Sequence, residues 1–139
     1  MPILWTPTVA VGVPQIDAEH RELFDRVNRL LDAMARSRAR EEVQPLLGFL
    51  ADYVRAHFGG EERLMRQHLD PAAAEHLSQH AYFVAELEIL AAELELGGPS
   101  ALLTIRLNKL LCDWLRDHVG TTDRKLGEFL RSAGVAARG

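Results

Sequence analysis

Four stretches of this chain repeat apolar residues at steps of three and four, and the breaks between them are short. The first stripe is Ile16, His20, Leu23, Val27, Leu30 and Met34, with Asp17 placed to cap its start. A polar connection at residues 36–40 leads to the second: Val43, Leu46 or Leu47, Leu50, Val54, His57, Glu61 and Leu64. Asp70 and Pro71 supply an N-cap and a first-turn proline, which stop this helix near Gln67 and start another. The third stripe runs Ala73, His76, His80, Phe83 or Val84, Leu87, Leu90 and Leu94, until Gly97-Gly98-Pro99 ends it. The fourth carries Leu103, Leu107, Leu110, Trp114 and His118 inward. Short loops force neighbouring helices to run antiparallel, so the expected fold is all-α, an up-down-up-down four-helix bundle. Residues 1–16, with Pro2, Pro7, Gly12 and Pro14 and no helical period, read as an extended N-terminal arm before a bundle at 17–131. At 139 residues and 47% apolar content the whole chain fits a single domain.

The stripes are interrupted by metal-binding side chains, and the interruptions coincide in height. His20 lies near the start of the first helix, and His57 with Glu61 near the end of the second. His76 with His80 begins the third, and His118 with Asp123 closes the fourth. In an antiparallel bundle those places share one end. Residues four apart share a helix face, so His57 pairs with Glu61 and His76 with His80. His118 and Asp123 are five apart and would diverge on a regular helix, so the Gly120-Thr121-Thr122 segment is expected to bend or bulge. Five imidazoles and two carboxylates buried without a cation would cost several kcal/mol per unpaired charge. Imidazole and carboxylate donors suit iron and its first-row neighbours, and a thiolate site is excluded by the single Cys112. The number of donors fits two metals sharing bridging carboxylates.

Other features are read as bland. A net charge of −4 without a basic cluster gives nucleic acid no footprint. No run approaches the ~20 apolar residues of a membrane span, and the N-terminus shows no secretory pattern, so a cytoplasmic protein is expected. Cys112, beside Leu110, Leu111 and Trp114, reads as a buried thiol. His68 is left outside the site, and Glu62, about 100° around the helix from Glu61, reads as solvated. Gly59 and Gly60 either admit a close neighbour or are simply tolerated.

The segments Val11-Gly-Val-Pro-Gln-Ile-Asp-Ala-Glu-His20, His57-Phe-Gly-Gly-Glu61-Glu, His76-Leu-Ser-Gln-His80 and Trp114-Leu-Arg-Asp-His118-Val-Gly-Thr-Thr-Asp123 appear in order. Together they resemble the hemerythrin family, specifically its single-domain bacterial members, from about Trp5 to about Leu130. The resemblance implies two iron ions with a bridging oxo or hydroxo group. His76, His80 and His118 would hold one ion, His20 and His57 the other, and Glu61 and Asp123 would bridge them. Dioxygen would enter at the two-histidine ion, which is one ligand short, in a cavity walled by Leu23, Phe58, Trp114 and Leu115. The implied function is reversible dioxygen binding for storage, transport or delivery, without catalysis. The histidine-rich count agrees, because carboxylate-rich di-iron oxygenases use four glutamates and two histidines. Two alternatives stand beside it: a redox enzyme acting on peroxide or nitric oxide, and an oxygen or iron sensor. The bundle occupies nearly the whole chain, so a sensor would need an unidentified protein partner; the arm at residues 1–15 is the place to look for contact with one, although packing across the open end of the bundle is the plainer expectation for it.

Overall fold

The computed structural model describes residues 10–134, so residues 1–9 of the arm expected at 1–16 lie outside the described residues. Helix α1 is Pro14–Ala35. A second rod consists of α2, Ala39–Tyr53, a π-helical stretch Val54–Phe58, and α3, Gly59–His68. The third rod is α4, Ala73–Gly97. The fourth is α5, Ala101–Trp114, a π-helical stretch Leu115–Thr122, and α6, Asp123–Ser132. The rods pack as an all-α four-helix bundle, with α1 against α2 and α4 against α5.

The joints follow local chemistry. Pro14 opens α1, where its missing N–H costs nothing, so the expected arm gives way to helix three residues early. Asp17 is therefore not the N-cap. It lies in the first turn and reaches back, its carboxylate accepting from Val11 N at 2.8 Å and Gly12 N at 3.2 Å. Between the third and second rods Leu69 takes a left-handed conformation (φ 57°) and Asp70 accepts from Ala72 N at 2.9 Å, so Pro71 precedes the helix instead of sitting in its first turn. Ser100 caps α5 through Leu103 N at 3.1 Å.

One apolar cluster fills the bundle, built on Leu23, Val27, Leu30, Leu50, Phe83, Leu87, Leu107, Leu111 and Trp114. Both Leu46 and Leu47 join it, and Phe83 is preferred to Val84. Leu111 replaces Leu110 as the deeply buried residue, and Tyr53 replaces Val54. The last shift has a geometric cause. Tyr53, His57, Glu61 and Met65 follow one another in steps of four, and each such step overshoots an α-helical face by about 40°. A wider turn absorbs the drift and keeps all of them inward. A second, smaller cluster of Val11, Val13, Ile16, Met65, Leu126 and Leu130 closes the end of the bundle one turn outside the donors.

Candidate metal centre

The expected bulge in the fourth rod is present. His118 lies inside the π-helical stretch and Asp123 directly follows it, so a spacing of five places both side chains in the interior, each about 2% exposed or less. The structure brings His20, His57, Glu61, His76, His80, His118 and Asp123 together, all buried, at one level. Their donor atoms form two overlapping sets: Glu61, His76, His80, His118 and Asp123, and His20, His57, Glu61 and Asp123. Within each set the atoms lie within 4.8 Å of one another.

The two carboxylates belong to both sets, and each divides its oxygens between them. Glu61 Oε1 lies 3.4 Å from His76 Nε2 and 3.1 Å from His80 Nε2, while Oε2 is 3.2 Å from His57 Nε2. Asp123 Oδ1 is 3.0 Å from His76 Nε2 and 3.1 Å from His118 Nε2, while Oδ2 is 2.8 Å from His20 Nε2. Although these separations are short, Glu61 Oε2, His76 Nε2, His118 Nε2 and both Asp123 oxygens have no partner in hydrogen-bond geometry. The atoms converge on common points instead of on each other. His20 Nε2 and His57 Nε2 face one another at 3.1 Å, a separation that requires a proton or a cation between the two nitrogens.

The outward ring nitrogens decide which tautomer is present. His57 Nδ1 donates to Glu19 at 2.6 Å, His80 Nδ1 to Glu62 at 2.9 Å, and His118 Nδ1 to Gln79 Oε1 at 2.7 Å. Thr122 Oγ1 also donates to that amide oxygen, at 2.8 Å. With the proton held at Nδ1, each Nε2 presents a lone pair inward, the arrangement that metal-binding histidines adopt. Glu62 is thus not the solvated residue that its helix angle suggested. A rotation of about 100° brings it to the rim beside α4, where the His80 ring emerges. Glu19 and Gln79 were overlooked, although each is the immediate neighbour of a histidine in the chain. His68 is in the last turn of α3 and outside both sets. Among the described residues a Cβ on Gly59 or Gly60 would meet nothing within 4 Å, so no described element approaches there.

Without metal the centre collects protons. Burial opposes charge on His57, but the carboxylate of Glu61 and the hydrogen bond to Glu19 outweigh it and hold the ring up at about 10. His76 is likewise raised to about 9 against burial, by Asp123 and Glu61. Burial and the neighbouring Asp123 charge push Glu61 upward, yet His57 and His76 bring it down to about 2. Asp123 is also held well below its usual range, against its own burial, by His118, His20 and His76. His118 is lowered by burial. An interior that keeps two carboxylates ionised and holds protons on His57 and His76 against burial demands positive charge, and a pair of metal cations would meet that demand with the donors present.

Aromatic rings lie against the centre. Phe58 lies flat on His80 (centroids 3.8 Å, 5°) and Trp114 on His118 (3.8 Å, 10°), both in the three-histidine set. Leu23 and Leu115 are buried in the same cluster. Tyr53, absent from the sequence reading, stacks on His57 at 4.7 Å. Burial, then Asp123, Glu61 and Glu19, keep it a neutral phenol. Cys112 is only partly buried, contacting Asn108 at 3.7 Å.

Residues 11–130 match the family profile described as the hemerythrin HHE cation binding domain. The chain belongs to the hemerythrin family. It is 31% identical over 127 residues to the bacteriohemerythrin of Methylococcus capsulatus, covering 91% of this chain and 95% of that protein. Identity to the bacteriohemerythrin of Stenotrophomonas maltophilia is 25% over 130 residues, 94% of this chain and 82% of the relative. The myohemerythrin of Riftia pachyptila is 28% identical over 127 residues, 89% and 90% of the respective chains. Among the described residues no helix of this hemerythrin-family chain is long and apolar enough to cross a membrane.

Proposed function

We propose that this chain holds two iron ions and takes up dioxygen reversibly, as a storage or delivery protein of the cytoplasm and not as a catalyst. The observation that carries the reading is the division of oxygens in Glu61 and Asp123, each facing both donor sets. Carboxylates so placed would bridge two ions. His76, His80 and His118 would complete one metal position, and His20 with His57 would leave the other open. When bound, the iron pair supplies two electrons and one open position for dioxygen. The chain's own residues supply the rest. Glu19, Glu62 and Gln79 fix three of the imidazoles in the donor tautomer and make them better bases. Leu23, Phe58, Trp114 and Leu115 exclude the water and protons that would make uptake irreversible.

The test is metal analysis of protein from iron-replete cells together with its visible spectrum. Two irons per chain and a band that appears in air and disappears on deoxygenation are expected. Irreversible oxidation within seconds, with turnover of peroxide or nitric oxide, would replace this reading with an enzymatic one.

A further inference from the structure

Apart from the atoms that face the centre, three buried side-chain polar atoms among the described residues lack a partner: His20 Nδ1, Trp114 Nε1 and the Tyr53 hydroxyl. Tyr53 is the instructive one. It is one turn ahead of His57, only 6% exposed, and belongs to the same apolar cluster as Leu23, Phe58 and Leu115. Phenylalanine would fill this space without the hydroxyl, and buried tyrosine hydroxyls ordinarily find a partner. The ring positions separate Tyr53 from Trp114. Trp114 covers His118, in the set that already has three imidazoles. Tyr53 lies along His57 with an interplanar angle of 16°, in the set that has two. The ring that carries the unpaired hydroxyl therefore lies against the two-histidine set, the one that the reading above leaves a ligand short.

We propose that Tyr53 donates a hydrogen bond to the exogenous ligand, dioxygen or a small anion, taken up beside His20 and His57. This rests on the di-iron reading above. The phenol acts on a bound molecule that carries negative charge, slows its departure, and leaves metal uptake untouched. It disfavours ligands that offer no acceptor atom, so the pocket selects as well as admits.

The experiment compares Tyr53→Phe with Tyr82→Phe, an exposed tyrosine on α4. Three quantities are read on iron-loaded protein: the dioxygen release rate, the azide affinity of the oxidised form, and the infrared stretch of bound azide in light and heavy water. The metal-free melting temperature is read as well. Tyr53→Phe should keep two irons, release dioxygen about tenfold faster, bind azide about tenfold more weakly, and lose a heavy-water shift that wild type shows. Its metal-free form should melt no lower than wild type, since an unpaired hydroxyl has been removed. Tyr82→Phe should match wild type throughout. Unchanged release and affinity at full iron content would overturn the proposal and leave the di-iron reading standing. A lower metal-free melting temperature with unchanged ligand binding would overturn it too, by assigning the hydroxyl to the fold. Should Tyr53→Phe fail to load iron, absence of the heavy-water shift in wild type decides against it. Wild-type protein that takes up neither two irons nor dioxygen would refute both readings.

Discussion

Replacing Gly127 with alanine sets two physical effects against each other with opposite signs. Gly127 is buried in the middle of α6, one turn beyond Asp123, where alanine should be favoured by about 1 kcal/mol on helix propensity alone. The structure leaves no room for the methyl group. A Cβ built there lies 2.8 Å from the carbonyl carbon of Val11 and 2.8 Å from its Cβ, with the carbonyl oxygen closer still. That backbone is held from both sides, by the Asp17 carboxylate on Val11 N at 2.8 Å and by Arg131 on Val11 O. Overpacking costs about 1–3 kcal/mol, and loosening a charged, buried hydrogen bond adds roughly 1.5–3 kcal/mol if it breaks fully. With the propensity gain subtracted, the variant should lose about 2 kcal/mol, or about 6–8 °C in melting temperature for a chain of this length. Circular dichroism melts of metal-free and iron-loaded protein measure this. Because Val11 and Val13 cover the end of the bundle next to the centre, the loaded variant should also lose its reversibility in air sooner than wild type. A melting temperature above that of wild type would show that propensity wins and that residues 11–13 do not clasp α6.

Two further outcomes follow from the centre. In metal-free protein His57 and His76 are raised to about 10 and 9 from an ordinary value near 6.5, so their contribution to stability is complete below pH 6.5 and is lost as pH climbs through 9–10. Metal-free melting temperature should therefore fall between pH 6.5 and 10, while iron affinity rises over the same range as the protons leave; a flat or rising metal-free profile would contradict this. Leu115→Ser places a polar group in the apolar wall and should accelerate irreversible oxidation of the reduced protein in air, followed by its visible band; an unchanged rate would remove Leu115 from the wall.

The fold and the donors were readable because both follow from periodicity. Steps of three and four define a helix face, and His20, His57, Glu61, His76, His80, His118 and Asp123 replace apolar residues on those faces. The five-residue gap from His118 to Asp123 even required the wide turn that the fourth rod makes. The second wide turn was missed because steps of four still look α-helical one at a time. Only the run from Tyr53 to Met65 accumulates a drift, and Tyr53 was lost with it. Glu19, Glu62 and Gln79 were invisible for another reason. They lie at the rim, 24% and 32% exposed at the two glutamate side chains, where a polar residue needs no explanation until the partner ring is seen. Asp17 misled because a carboxylate near a helix start can capture backbone N–H groups from inside the first turn as well as from the cap.

The two wide turns make residue count a chemical property of this chain. Lengthening the connection at residues 36–38 or the one around Gly98 would leave every donor where it stands, since neither connection carries one. Inserting one further residue between Val54 and Ala56 would instead swing His57 and all of α3 by about a hundred degrees about the rod axis, because the wide turn already holds one residue more than an α-helical turn. Glu61 and Met65 would leave the interior together, and a rod with unbroken hydrogen bonding would no longer bridge anything. For this fold one residue added inside a rod is as severe as the loss of a ligand, and it would leave all seven donors present in the sequence.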